Sequence, residues 1–142
     1  MKIFADANIL VSVVNRELPL YHYSSRVLSV KELNPKFTIC TSPICLAICF
    51  YFAQKKCSEA KALEKLKILS EHIDILSVGA KEVSLVNNNK KITDYEDGLQ
   101  YYAALNSGCN AIITEDLGDF YFSEIPVYSS KNFILNIFEP AK

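Results

Sequence analysis

Acidic residues follow two short apolar segments that have the length and composition of β-strands. Asp6 comes directly after Lys2–Ala5, and Asp116 and Asp119 come shortly after residues 110–113. In an open parallel α/β sheet, ligands bind outside the carboxyl ends of the strands. If these two strands are parallel neighbours, the three carboxylates meet at one edge of the sheet.

A further group of acids lies at the start of the helix predicted before the second of these strands. It contains Asp94, Glu96 and Asp97. Acids in a first turn favour the helix macrodipole, and they can cap the helix, either Thr93 with Glu96 or Asp94 with Asp97. Capping does not require three acids in four positions, so we expect Asp97 to join the other carboxylates. One helical turn cannot direct all three acids at one point, and Asp94 and Glu96 are therefore predicted to lie around the cluster.

Convergence of these carboxylates would be unfavourable without a counter-ion. Two unit charges ~5 Å apart repel by about 3 kcal/mol at an effective dielectric constant of ~20. A divalent cation removes this repulsion, and Mg²⁺ and Mn²⁺ prefer oxygen ligands. The sequence therefore predicts an Mg²⁺ or Mn²⁺ site formed by Asp6, Asp97, Asp116 and Asp119.

The elements that must position these acids alternate between strand and helix. Further strands are predicted at residues 37–40, 73–76 and 125–130. Helices are predicted at residues 6–14, 20–33, 43–56, 58–70, 79–89, 94–105 and 131–138. This alternation indicates a three-layer α/β/α sandwich with a central parallel sheet of four to five strands, in a single domain over residues 1–142.

Two consecutive helices carry distinct surface patterns. The helix at residues 43–56 is apolar on almost every side, which predicts a central, buried element. The helix at residues 58–70 has one apolar stripe, made of Ala62, Leu63, Leu66 and Leu69. The surrounding lysines form either a solvated helix face or a contact for an RNA backbone or a partner: Lys55, Lys56, Lys61, Lys65 and Lys67.

Three motifs resemble the PIN-domain family of metal-dependent ribonucleases, which includes the VapC-type toxins. They are FADANIL near the start, DYEDGLQ at the acidic helix and ITEDLGDF after it. They stand in the family's order and at its spacing, so the resemblance spans essentially the whole chain. The family's first, third and last metal-binding acids fall on Asp6, Asp97 and Asp119, with Asp116 at the neighbouring polar position.

The resemblance implies an endoribonuclease that uses Mg²⁺ or Mn²⁺ to hydrolyse RNA. It also implies an antitoxin protein as partner, as in a toxin–antitoxin pair, and a homodimer. In such a site, Asn8 would orient a ligand or a water molecule, and Thr114 would contact that water or the scissile phosphate. Ser42 is predicted to cap the helix that follows the second strand, and it could also contact metal-bound water or a phosphate there.

The chain departs from the family at one position. Where the family has an acid in the helix after the second strand, the matching residue is Ile48. This departure motivates an alternative function, a PIN-like domain that has lost efficient catalysis and acts as a binding or assembly module. A phosphotransfer receiver domain also clusters acids at strand ends, but it fits poorly because this chain has no paired acids after the first strand.

Charge and cysteine content exclude several classes of protein. The net charge of −1 supplies no global field for nucleic acid, so any RNA contact must be local. No run reaches the ~18 apolar residues of a membrane span. Five cysteines without C-x-x-C spacing indicate free thiols in a reducing cytoplasm. The alternative is a zinc site that uses Cys45 and Cys49, which lie four residues apart on a predicted helix.

Overall fold

A five-stranded parallel sheet forms the centre of the molecule in the computed structural model, which describes residues 1–140. The strands are β1 (Lys2–Ala5), β2 (Thr38–Thr41), β3 (Asp74–Ile75), β4 (Ala111–Ile113) and β5 (Val127–Tyr128). Their order in the sheet is β3-β2-β1-β4-β5, and all neighbouring pairs are parallel. The predicted α/β sandwich around a parallel sheet is confirmed.

Helices connect the strands and cover the sheet. Within residues 1–140 the α-helices are α1 (Ala7–Val14), α2 (Tyr21–Leu28), α3 (Val30–Leu33), α4 (Pro43–Ala53), α5 (Glu59–His72), α6 (Ala80–Asn87), α7 (Tyr95–Asn106) and α8 (Ser130–Phe133). A 3₁₀ turn at Leu117–Phe120 follows β4, and a π-helical turn at Ile134–Phe138 continues α8. The predicted final helix is therefore present, but its second half is wound more loosely than an α-helix.

The register between β1 and β4 brings the two predicted acidic strand ends together. Ala5 pairs with Ile113 at the carboxyl ends of these strands. The backbone N–H of Asp6 donates to the Ile113 carbonyl at 3.0 Å, which extends the pairing by one residue. Asp6 and Thr114 consequently leave the sheet side by side.

The amino terminus of α7 is capped by Asp94. Its side chain accepts a hydrogen bond from the Asp97 backbone N–H at 3.0 Å. The alternative cap by Thr93 with Glu96 is wrong, since the Thr93 hydroxyl is hydrogen-bonded to the Tyr121 hydroxyl at 3.1 Å. Asp94 therefore starts the helix, and the side chains of Glu96 and Asp97 remain available in its first turn.

The helix predicted at residues 20–33 is interrupted at Ser29, which separates α2 from α3. The Ser29 hydroxyl donates to the Ser25 carbonyl at 2.9 Å, and the Ser29 backbone adopts φ −103° and ψ 8°. Serine side chains that bond to the preceding turn compete with the regular backbone ladder and bend helices. The apolar periodicity of the sequence continues across Ser29 and therefore did not indicate the interruption.

The prediction that the helix after β2 is buried on every side is wrong. It ends at Ala53 rather than near residue 56, and Tyr51 and Phe52 are 50% and 43% exposed. The helix packs against α1 and α5, which cover only part of its surface. In α5, Leu63 of the predicted stripe is also exposed, whereas Ala62 and Leu69 are buried.

None of the helices in residues 1–140 combines the length and the apolar composition that crossing a bilayer requires.

Close packing between α6 and α7 makes Gly98 sensitive to substitution. A Cβ at Gly98 would lie 2.8 Å from Ile92 Cγ2 and 3.0 Å from Val86 Cγ2. Both neighbours are β-branched and stiff. We expect Gly98→Ala to lower the free energy of unfolding by about 1–3 kcal/mol from overpacking, although Ala favours helix by about 1 kcal/mol. Denaturant unfolding measures this change; Gly118→Ala, where a Cβ meets no atom within 4 Å, serves as the control and should be close to neutral.

Candidate active site

Asp6 is held in place at the end of β1 by two hydrogen bonds. Its Oδ1 accepts from the Ala7 backbone N–H at 2.8 Å, and its Oδ2 accepts from the Thr114 hydroxyl at 2.9 Å. The residue is buried, with 8% of its surface exposed. Burial raises the pKa of this carboxyl, and the negative charges of Asp116 and Asp119 raise it further. Asp6 is thus both the amino-terminal cap of α1 and a desolvated anion close to other acids.

Asn8 connects the start of α1 to the segment after β4. Its side-chain N–H donates to Thr114 Oγ1 at 2.9 Å and to Asp116 Oδ2 at 3.2 Å. Its carbonyl oxygen accepts from the Glu115 backbone N–H at 3.1 Å. These bonds, together with the one from Thr114 to Asp6, fix the relative positions of Asp6 and Asp116.

Asp97 approaches the same region from α7. Its pKa is raised from 3.8 to about 7, because the carboxyl is partly desolvated and because Asp94, Asp6, Asp119 and then Glu96 add negative charge around it. The pKa of Glu96 is raised for similar reasons, namely desolvation and the charges of Asp94 and Asp6. Acids that are distant in sequence therefore affect each other's protonation in the folded chain.

A cavity of about 450 Å³ collects these side chains at the carboxyl edge of the sheet. The acidic residues that line it come from both strand ends, from α7 and from the loop after α1: Asp6, Glu17, Asp94, Glu96, Asp97, Asp116 and Asp119. Its other lining residues are Ala7, Asn8, Val11, Ile48 and Phe52. The four predicted ligands Asp6, Asp97, Asp116 and Asp119 thus border one cavity.

The donor chemistry of this cavity fits a divalent cation. Carboxylate oxygens predominate, and the amide of Asn8 adds a polar group, which matches the preference of Mg²⁺ and Mn²⁺ for oxygen ligands. Burial and, after it, the neighbouring carboxylates raise the pKa values of Asp6 and Asp97, and a bound cation would offset both effects. Within residues 1–140, no three His, Cys, Asp or Glu side chains are grouped tightly enough to hold a metal ion as they stand. Coordination therefore requires rotation of the Asp97 and Asp119 side chains, which make no hydrogen bond among the described residues, toward Asp6 and Asp116.

The raised pKa of Asp97 predicts how stability changes with pH in chelator-treated protein. Between its ordinary pKa of 3.8 and the folded-state value of about 7, the folded protein binds more protons than the unfolded chain. The stabilisation that comes from the protonated carboxyl is complete below the lower value and is lost as the pH rises through the higher one. Asp6 and Glu96, whose pKa values are also raised, act with the same sign.

We therefore expect the melting temperature of chelator-treated protein to fall as the pH rises from about 5 to about 8. Asp97→Asn should make this slope shallower, and the difference between the two proteins isolates Asp97 from other titrating groups. Thermal unfolding followed by circular dichroism across the pH range measures both slopes. If the variant and the wild type have equal slopes, the pKa of Asp97 is not raised in the folded protein.

Two polar residues near the predicted site face other partners. Ser42 is fully buried, accepts from the Cys45 backbone N–H at 3.1 Å and donates to the Gln100 side chain, so it does not line the cavity. Its predicted capping role is confirmed. Glu115 is the second residue after β4, but it accepts hydrogen bonds from the backbone and hydroxyl of Ser130. It connects β4 to α8 instead of joining the acids.

Sequence reasoning missed four residues of the cavity wall, Ala7, Val11, Glu17 and Phe52. Glu17 lies in the loop after α1, and its place depends on how that loop folds back, which no local motif indicates. Ile48 also lines the cavity, one helical turn before Phe52 on α4. The residue at the family's acidic position therefore faces the site as an apolar side chain.

The cysteines do not form the alternative zinc site. All five are free, and Cys45 and Cys49 are buried in α4. Cys45 Sγ lies 3.8 Å from Asp6 Oδ1, so this thiol packs directly beneath the buried carboxylate. Burial raises the pKa of both thiols to about 12, which keeps them protonated near neutral pH.

A larger cavity of about 630 Å³ lies away from the carboxylates. Residues of α1, α2, α3 and α5 line it, among them Val14, Leu28, Ile68 and Leu69. Its acid, Glu32, stands next to His72 and not next to other carboxylates. Its size exceeds that of the acidic cavity, but its chemistry does not suit hydrolysis.

Solved structures of similar fold support the architecture. VapBC2 from Rickettsia felis, in complex with a DNA fragment from its promoter, superposes with a TM-score of 0.68 and 20% sequence identity, covering 91% of this chain and 98% of that one. VapC20 from Mycobacterium tuberculosis, described as a Sarcin-Ricin loop cleaving toxin, superposes with a TM-score of 0.64 and 18% identity, covering 87% and 98%. At these identities the similarity establishes the fold.

Sequence comparison connects the chain to a family. A family model of the PIN domain matches residues 2–118. Ribonuclease VapC1 of Aquifex aeolicus (strain VF5) is 30% identical over 136 residues, which cover 93% of this chain and 92% of that protein. The family model spans β1, α7, β4 and all the acids that border the cavity except Asp119. The alignment with the relative extends over nearly the full chain. The resemblance in the acidic motifs is thereby confirmed, and this chain belongs to the PIN domain family.

Proposed function

We propose that this protein is an endoribonuclease that hydrolyses RNA phosphodiester bonds with Mg²⁺ or Mn²⁺. Residues 1–142 would form one PIN-like domain, of which the structure describes residues 1–140. The observation that carries the proposal is the meeting of carboxylates from β1, α7 and the segment after β4 in one cavity. The relationship to a named ribonuclease supports RNA as substrate, and the five free cysteines support a cytoplasmic location.

The residues of the cavity have distinct proposed roles. Asp6 is oriented by Ala7 and Thr114, and Asp116 is oriented by Asn8, so these two carboxylates are fixed before a ligand arrives. Asp97, from the first turn of α7, and Asp119, from the 3₁₀ turn after β4, would complete the ligand set. A divalent cation bound to these oxygens supplies an activated water and stabilises charge on the departing oxygen.

The surrounding polar groups act through these ligands. Thr114 donates to Asp6 and accepts from Asn8, so it transmits the position of one carboxylate to the other. Asp94 keeps the first turn of α7 formed through its bond to the Asp97 N–H. Glu96 contributes negative charge next to Asp97 and would strengthen cation binding over longer range.

The direct test is cleavage of single-stranded RNA by the purified protein in Mg²⁺, Mn²⁺ or EDTA. We expect cleavage with either ion and none with EDTA. Because a water molecule, and not the ribose 2′-hydroxyl, attacks the phosphate, the products should carry no 2′,3′-cyclic phosphate. EDTA-resistant cleavage or cyclic phosphate ends would point to a contaminating nuclease and would leave the proposal without support.

The toxin role is a separate part of the proposal. Similarity to VapBC complexes supports an antitoxin protein as partner, and the family resemblance supports a homodimer. Induced expression in a bacterial host should arrest growth, and Asp119→Asn should not. Growth arrest that is equally strong with both proteins would separate toxicity from cleavage. Sedimentation equilibrium of the purified chain tests the dimer.

A second function is favoured by one observation, the apolar Ile48 in the cavity wall. A PIN-like domain with a weakened metal site would act as a binding or assembly module. Binding of Mn²⁺ by calorimetry without detectable RNA cleavage would support this second function over the first.

A further inference from the structure

An exposed aromatic pair with an attached cation lies at the end of α4. The rings of Tyr51 and Phe52 have their centroids 5.3 Å apart at an interplanar angle of 77°. Lys55 Nζ stands 4.1 Å from the Tyr51 ring centroid and 5.4 Å from the Phe52 centroid. We call Tyr51, Phe52 and Lys55 the aromatic platform. Single exposed apolar residues are ordinary on protein surfaces, but an adjacent aromatic pair under a lysine is a more specific arrangement.

The aromatic platform is continuous with the acidic cavity. Phe52 belongs to the cavity wall, one turn after Ile48 on the same face of α4, and the acids of α7 line the same cavity. Lys55 and Lys56 follow in the turn after the helix and are exposed. Positive charge and two π-faces thus lie directly beside a cavity that is otherwise strongly acidic.

We propose that the aromatic platform binds the nucleotide next to the scissile phosphate while the base of that nucleotide is unpaired. The base stacks on the exposed rings, and Lys55 contacts a backbone phosphate. This inference rests on the proposed ribonuclease function. Unpaired bases can stack on aromatic side chains, whereas the bases of an A-form duplex are covered by their neighbours.

The charge pattern favours RNA over a protein as occupant of the platform. A nucleotide offers an apolar π-face for the rings and a negative phosphate for the lysine within one residue. The same strand can then enter the cavity with its next phosphate. A protein segment that covered the rings would have to supply the apolar surface for the rings and the acidic group for Lys55 from separate side chains.

Binding of single-stranded RNA that contains 2-aminopurine tests the proposal without cleavage. The Asp119→Asn background is used in Mg²⁺, and stacking is followed by fluorescence quenching. Phe52→Leu and Tyr51→Leu keep apolar bulk and remove the rings; each should weaken binding about tenfold, since a stacked base is worth that much or more. Phe52→Trp should retain binding. Leu33→Ala removes an exposed apolar side chain at the opposite edge of the sheet and should have no effect.

Lys55 is tested by salt dependence. Lys55→Ala should reduce the slope of log affinity against log salt by about 0.7, the value for one phosphate contact on a single strand. Lys36→Ala removes the same charge next to β2 at the opposite edge and should leave the slope unchanged. A duplex of the same sequence should bind more weakly than the single strand.

The outcomes separate this inference from the proposed function. If wild-type protein cleaves RNA but Phe52→Leu and Tyr51→Leu bind as tightly as their background, the aromatic platform is overturned and the ribonuclease stands. Equal affinity for duplex and single strand overturns it as well. If the wild type does not cleave RNA, the proposed function fails, and the binding assay still decides whether the rings stack on bases. If Phe52→Leu or Tyr51→Leu abolishes the binding of a protein partner and leaves RNA binding unchanged, the rings form the interface with that partner and do not bind RNA.

Discussion

We expect Asp97→Asn and Asp119→Asn each to reduce RNA cleavage by a factor of about 100 or more, the effect of removing one electrostatic group from an active site. Neither side chain makes a hydrogen bond among residues 1–140, so the substitution removes charge without breaking a structural contact. Asp6→Asn is less informative, because Asp6 also caps α1 and accepts from Thr114. Rates measured on a defined RNA under saturating Mg²⁺ test this expectation.

Stability distinguishes a shared metal site from a structural role. In EDTA, both variants should raise the melting temperature by about 2–4 °C, because each relieves repulsion among carboxylates that are partly screened by solvent. Saturating Mg²⁺ should narrow or reverse this difference, since the wild type binds the ion more tightly. Asp74→Asn, which removes an exposed acid from β3, is the matched control and should change neither rate nor melting temperature. If both variants melt lower than the wild type in EDTA, the two aspartates are structural partners.

The sequence predicted the carboxylate cluster because its position follows from sheet geometry. Parallel strands bring their carboxyl ends to one edge, and the pairing of Ala5 with Ile113 makes β1 and β4 direct neighbours. The first turn of α7 was predictable for a local reason, since an acid at the amino-terminal cap fixes where a helix begins. These inferences needed only strand order and capping chemistry.

Features that depend on the packing of distant elements were not predictable. The apolar composition of α4 indicates burial, but α1 and α5 pack against only part of its surface and leave Tyr51 and Phe52 exposed. Glu17 reaches the cavity because the loop after α1 turns back, which has no signature in its residues. The sequence predicted that Ser42 caps a helix and could also contact a phosphate. The Ser42 hydroxyl donates instead to the side chain of Gln100, which is more than fifty positions away in the sequence.

Restoring an acid at Ile48 is the second large expected effect. Ile48 lines the cavity on the same face of α4 as Phe52, and Cys45, less than one turn before it, touches Asp6. A carboxylate at this position would therefore project toward the other acids. We expect Ile48→Glu to bind Mn²⁺ about tenfold more tightly, a gain of about 1.4 kcal/mol, because an added negative ligand strengthens cation binding. Titration calorimetry measures this affinity.

The same substitution should destabilise the protein in EDTA, because it adds a like charge to the cavity and removes apolar contact. Ile48→Gln is the matched control: it has nearly the shape of Glu without the charge, so it should share the lost packing and show no gain in affinity. Equal Mn²⁺ affinity of the Glu and Gln variants would mean that position 48 does not reach the ion. If Ile48→Glu also cleaves RNA faster, the apolar residue limits catalysis in the natural chain. Tighter metal binding with unchanged cleavage would instead favour the binding module, because metal affinity would then not limit the reaction.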